Sequence, residues 1–278
     1  MVSGTISQLA SKNLMQTVLA GITVIAAFST PVATQPPGLV VSVAASMNDA
    51  LAEIAGLYRA ATGVTVALNT GSSNTLARQI VEGARAGLFL SADEIQMDVV
   101  EKAGRLVPGT RTRLLTNELA VIVPRDAPAD LTVERVLDGR VARLAMGESS
   151  SVPAGVYGRR WLERRGAWAR VSPKVVPFPT VRAVLAAVEA GRVDAGIVYR
   201  TDAMASSTRV IARVSAKDHP YLDIVQPAAV IVGPQEVAAR QFLEFLKSAP
   251  ARAVFTKRGF GIPPVLSEPK PVFGRVEG

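Results

Sequence analysis

The sequence predicts an α/β protein of two lobes, each a mixed, mainly parallel sheet flanked by helices, with a ligand cleft between them. Three observations carry this. From Leu39 onward, short apolar runs alternate with amphipathic segments, the pattern that builds parallel sheets. A charged, turn-rich stretch at 125–142 interrupts the alternation, which then starts again. Several apolar runs end in small, hydroxyl-bearing or proline residues where a helix begins, so helix N-termini are expected at strand carboxyl ends.

In order, a strand at 39–44 leads through Ser46 into a helix whose inward face carries Leu51, Ile54, Ala55 and Tyr58, stopped near Gly63. A second strand at 64–68 runs into Gly71, Ser72, Ser73 and Asn74, and the next helix turns Leu76 and Ile80 inward. A third strand at 88–90 precedes Asp93 and Glu94, acids that complement the positive end of a helix at 95–103 and read as caps. A strand at 119–123 closes this series.

The second series has strands at 141–146, 175–177, 195–198 and 210–214. Ser149 to Ser151, with Pro153 close behind, mark one helix start, and Pro179 and Thr180 mark another. A strand at 228–232 returns to the first lobe, followed by helices at 234–247 and 251–258. The expected domains are therefore 38–118 with 229–264 as the first lobe and 119–228 as the second. Residues 1–34, with Lys12 ahead of an apolar run at 18–28 and then small residues and prolines, read as a secretory signal peptide, and 265–278 as a flexible tail.

Composition narrows the chemistry. The 278 residues contain no Cys and a single His, His219, which excludes Cys–His nucleophiles, zinc sites with paired His and disulfide frameworks. The formal charge of +8 is spread along the chain and aromatics are only 5%, so no basic stacking platform for nucleic acid is present. No nucleophile elbow or phosphate-binding loop occurs, and no enzyme is expected.

The helix starts after strands can be read in two ways. The first turn of a helix leaves backbone N–H groups unpaired and carries partial positive charge, so a strand, tight turn and helix make an anion socket. Serines in that position also serve as ordinary N-caps. Taken singly, Ser46, Ser72 and Ser73 fit either role.

The motifs together resemble the periplasmic molybdate-binding proteins of ABC importers. The matches are Ala44-Ala45-Ser46 with Asp49, the stretch Ser72 to Ile80, FLSAD at Phe89 to Asp93, VPAGVY at Val152 to Tyr157, Val181-Arg182, GIVYRTDA at Gly196 to Ala203 and RGFGIP at Arg258 to Pro263. They run in order over roughly residues 38 to 264. The resemblance implies a type II periplasmic binding protein that holds molybdate, and tungstate with it, through hydroxyl and backbone N–H donors and without a cofactor or direct metal ligand. Carried over position by position, the ligand-binding residues are Ser46, Ser73, Ala154, Val181 and Tyr199, while Ser72 becomes a cap. It also implies a monomer outside the cytoplasm that passes its anion to a membrane permease. Three places depart from the family pattern: Arg85 and Gly87 before the third strand, Glu148 before VPAG, and Thr180 before Val181. The alternatives are a binding protein of the same architecture for another oxyanion or a small organic acid, an enzyme on that scaffold, and the effector-sensing half of a transcription regulator.

Overall fold

A computed structural model describes residues 38–263; the expected leader and tail lie outside the described residues. In the first sheet, β1 (Leu39–Ala44) pairs in parallel with β2 (Val66–Gly71) on one side and β3 (Leu88–Leu90) on the other. Next to β3 lies β10 (Ile224–Val230), antiparallel both to it and to the edge strand β4 (Thr112–Asn117). All seven residues of β10 are buried, because helices cover both faces of a central strand.

The second sheet has the order β7-β6-β8-β5-β9, formed by β5 (Leu119–Val123), β6 (Leu144–Gly147), β7 (Val175–Phe178), β8 (Ala195–Tyr199) and β9 (Arg209–Val214). Its β6 pairs in parallel with β7 and β8, while β5 is antiparallel to β8 and β9. The chain passes between the sheets twice, through Glu118 and through the segment between Val214 and Ile224. Two sheets joined by two crossings make the two-lobed α/β architecture expected from the alternation.

Helix α1 (Asn48–Thr62) buries Ala50, Leu51, Ile54 and Tyr58, and stops at Gly63, whose φ of 76° is the left-handed conformation glycine adopts freely. Tyr58 packs edge-on against Phe242 and Phe245 of α9 (Glu236–Leu246), with ring centroids 4.9 and 5.1 Å apart. This contact fastens a late helix to the first lobe. The remaining long helices are α2 (Ser73–Val81), α3 (Glu94–Lys102), α5 (Pro153–Arg164), α7 (Val181–Glu189) and α10 (Ala249–Lys257), with shorter turns at α4 (Val133–Leu137), α6 (Trp168–Val171) and α8 (Arg200–Met204).

Beside shifts of two or three residues at the ends of β2 and β6, two strands depart most from expectation. The sequence predicts no strand at 112–117, whose apolar content is only Leu114 and Leu115; β4 is an edge strand, where polar residues face solvent without cost. The strand expected at 228–232 spans 224–230 because Pro227 sits inside it at a register shift next to Gln226. A bulge is where a strand tolerates proline, which cannot donate to the ladder.

Candidate functional site

Four helix starts and one strand end meet where the two sheets face each other. From the first lobe come Ser46, in a 3-10 turn (Ala45–Met47) between β1 and α1, and Ser73, the first residue of α2. From the second come Ala154 near the start of α5, Val181 at the start of α7, and Tyr199 at the end of β8. All five line one cavity, together with Ser72, Ala92, Thr180 and their immediate neighbours. None of its lining residues is a lysine, arginine or carboxylate. The cavity is small, about 20 Å³, and partly open, with room for about one water. A hollow of about 570 Å³ beside Arg113 and Phe255 is far larger, so size does not single out this site; convergence of donors does.

Each donor is set up locally. The Ser73 hydroxyl accepts a hydrogen bond from the Ala92 backbone N–H at 2.9 Å, which occupies a lone pair and leaves its proton to donate. Ser46 accepts a long hydrogen bond, 3.5 Å, from the Gln226 side-chain amide and keeps its proton in the same way. In α5 the first ladder bond runs from Val156 N–H to the Val152 carbonyl, so the N–H groups of Ala154 and Gly155 lie outside the ladder, and Pro153 has none. In α7, Ala183 N–H is taken by the Thr180 hydroxyl and Val184 N–H by the Thr180 carbonyl, which leaves Val181 and Arg182 N–H outside the ladder.

Tyr199 is 1% exposed, and burial holds its phenol well above its usual pKa, so it is a proton donor at any ordinary pH. Its hydroxyl donates to the Ala92 carbonyl at 3.4 Å, a long bond that reaches from the second lobe to the first.

Close packing fixes the third helix start. A Cβ on Gly155 would lie 2.1 Å from the Gly147 carbonyl oxygen, so only glycine lets α5 approach the end of β6 this closely. The departures from the family pattern find local roles. Thr180 caps α7, a task that aspartate does equally well. A Cβ on Gly87 would lie 2.6 Å from Leu39 Cδ1. The Glu148 carbonyl receives the N–H groups of Ser151 and Val152 and so shapes the loop before α5. Arg85 is exposed, and nothing in the structure explains it.

Ser72 occupies the N-cap position of α2 but makes no cap bond to the backbone; its hydroxyl turns to the side chains of Asn74 and Thr75 instead. Asp93 does cap α3, accepting from Gln96 N–H at 2.9 Å, and burial raises its pKa to about 6. Ala92 carries no signal in the sequence, since its contribution is backbone only. Among the described residues there is no cluster of His, Cys, Asp and Glu able to hold a metal ion, and no helix long and apolar enough to cross a membrane.

The family model for bacterial extracellular solute-binding proteins matches residues 39–261. The molybdate-binding protein ModA of Escherichia coli is 37% identical over 232 residues, covering 81% of this chain and 89% of that protein. Among solved structures, the periplasmic molybdate-binding protein of Azotobacter vinelandii is similar with a TM-score of 0.73 at 24% identity, over 81% of this chain and all of that one. The sulfate-binding protein SubI of Mycobacterium tuberculosis gives 0.68 at 15% identity, over 81% of this chain and 86% of its own. The last two show a shared fold, and the fold accommodates more than one tetrahedral anion.

Proposed function

Because the chain belongs to the bacterial extracellular solute-binding proteins, and within them to the periplasmic molybdate-binding family, we propose that it captures molybdate, and tungstate with it, in the cavity between its lobes and delivers the anion to the membrane permease of an ABC importer. It is a solute-binding protein and not an enzyme. In this reading it acts as a monomer outside the cytoplasm, exported by the leader at 1–34, and Ser46, Ser73, Ala154, Val181 and Tyr199 hold the ligand.

The observation that supports the reading is the convergence of these five residues, from both lobes, on one small cavity without a charged side chain. Burying a doubly charged tetrahedral anion is costly unless its oxygens are hydrogen-bonded, and hydroxyls with helix-start N–H groups supply those bonds. Donors alone also discriminate. A hydrogen phosphate would turn its own proton toward a donor, and a smaller sulfate would stretch the bonds set for longer metal–oxygen distances, at about 1–3 kcal/mol per poorly satisfied group.

Thermal unfolding with molybdate, tungstate, sulfate and phosphate in parallel tests the proposal. An anion present at a hundred times its dissociation constant adds about 2.7 kcal/mol of stability. The expected result is a raised Tm with molybdate and tungstate only; a shift with sulfate or phosphate and none with molybdate would reject it.

A further inference from the structure

Outside the cavity, one cation is shared between carboxylates of the two lobes. Arg182 follows Val181 in α7, and its Nη2 donates to Asp49 Oδ2 of α1 at 2.8 Å. Its Nε lies 3.1 Å from Asp202 Oδ1 of α8, in the same lobe as Arg182 itself. Asp49 stands three residues after Ser46, so the bridge joins the two helix starts that present Ser46 and Val181. A hollow of about 240 Å³, lined by Ser46, Asp49, Arg182, Thr201, Lys257 and Arg258 among others, gives solvent access to the pair.

We propose that Arg182 is a positioning residue: by bridging Asp49 on the first lobe and Asp202 on the second, it latches the lobes together and sets how long the bound anion stays in the cavity.

The two arms differ in kind. Asp202 is fully buried, and burial raises its pKa to about 7 against the pull of the Arg182 guanidinium 3.1 Å away, so its ionised form depends on Arg182. Without the guanidinium the buried carboxyl would take up a proton, so the ionised Asp202 and Arg182 hold each other in place. Held there, the side chain surrenders little further rotamer freedom when Asp49 comes within reach. The Asp49 arm is different, since its side chain is 41% exposed and the arginine's 31%. An ion pair so open to solvent is weak and screened by salt, which suits a contact that must break each time the lobes part. Burial raises the Asp49 pKa, but the Arg182 guanidinium and the Asn48 amide outweigh it, so Asp49 stays ionised at neutral pH; Arg258 acts in the same direction.

The latch rests on the anion-binding reading, and the test separates the two. Molybdate dissociation is measured for the wild type, Asp49→Asn and Asp49→Glu at low and moderate salt. Asp49→Asn is expected to release molybdate about tenfold faster with an association rate within about twofold of the wild type, since contacts of this kind act mainly on the off-rate. Asp49→Glu should restore most of the difference. Added salt should speed release from the wild type and leave Asp49→Asn nearly unchanged. Equal dissociation rates in the wild type and Asp49→Asn would overturn the latch while leaving molybdate binding intact. Should the wild type not bind molybdate, the functional reading falls and small-angle scattering of the ligand-free proteins decides the latch: a larger radius of gyration for Asp49→Asn supports it, and superimposable profiles reject it.

Discussion

The Tyr199 hydroxyl donates to the Ala92 carbonyl at 3.4 Å, and the Ala92 N–H, on the same residue's other side, donates to Ser73 at 2.9 Å. One backbone residue of the first lobe thus touches a ligand-binding candidate from each lobe. A phenol with only a long bond to a carbonyl gains by turning to an anion, because hydrogen bonds to charged groups are about twice as strong.

Tyr199→Phe should therefore leave the unliganded protein nearly as stable as the wild type while weakening molybdate binding about tenfold or more. Calorimetric titration checks the affinity and a thermal melt the stability. Unchanged affinity would reduce Tyr199 to a packing residue.

Ser46→Ala and Ser73→Ala should separate. Each loses one donor to the anion, about 1.5–3 kcal/mol or roughly tenfold to a hundredfold in Kd. Ser73→Ala also leaves the buried Ala92 N–H without its acceptor, which costs about 1–3 kcal/mol of stability. Ser46 receives only the long contact from Gln226, so its variant should melt close to the wild type. Melting curves recorded beside the titrations will show whether the two serines divide in this way.

Gly155→Ala tests the helix start that Ala154 belongs to. The added methyl cannot coexist with the Gly147 carbonyl at 2.1 Å, so the first turn of α5 must move away from β6. The expected loss is about 1–3 kcal/mol of stability, as for other overpacked sites, together with weaker molybdate binding. A variant with wild-type Tm and affinity would show that the close approach is dispensable.

Stability should fall with rising pH around Asp93. Burial lifts its folded pKa from 3.8 to about 6, so between these values the folded state holds a proton that the unfolded chain has lost. The stability this contributes is complete below pH 4 and is lost as pH rises through 6, up to about 3 kcal/mol. Asp93→Asn keeps a cap for Gln96 N–H but cannot titrate. Denaturant unfolding at pH 4 and pH 7 should show a smaller decline in the variant, and equal declines would place the titration elsewhere.

The parts of this molecule that were legible in sequence are those with a local signal. Periodicity located α1 and its inward Leu51, Ile54 and Tyr58, and Pro153 and Thr180 marked the starts of α5 and α7, since caps and amphipathic faces are written within a few neighbouring residues. β4 escaped notice because an edge strand needs no apolar alternation, and the start of β10 because Pro227 speaks against a strand unless a bulge receives it. The five site candidates came from family resemblance at 46, 73, 154, 181 and 199, and the structure brings them to one cavity. No local rule couples Asp49 to Arg182, 133 positions apart, or reveals that Ala92 serves both Ser73 and Tyr199 through its backbone. Such pairings exist only once the two sheets face each other.

An uncharged cavity that selects molybdate by donor geometry must bind this anion and refuse sulfate. The most direct measurement is a calorimetric titration of the wild-type protein with molybdate and with sulfate in the same buffer. The expected result is saturable binding of one molybdate per chain and no saturable heat from sulfate at the same concentrations. Saturable binding of sulfate with none for molybdate, or heat from neither anion, would contradict it.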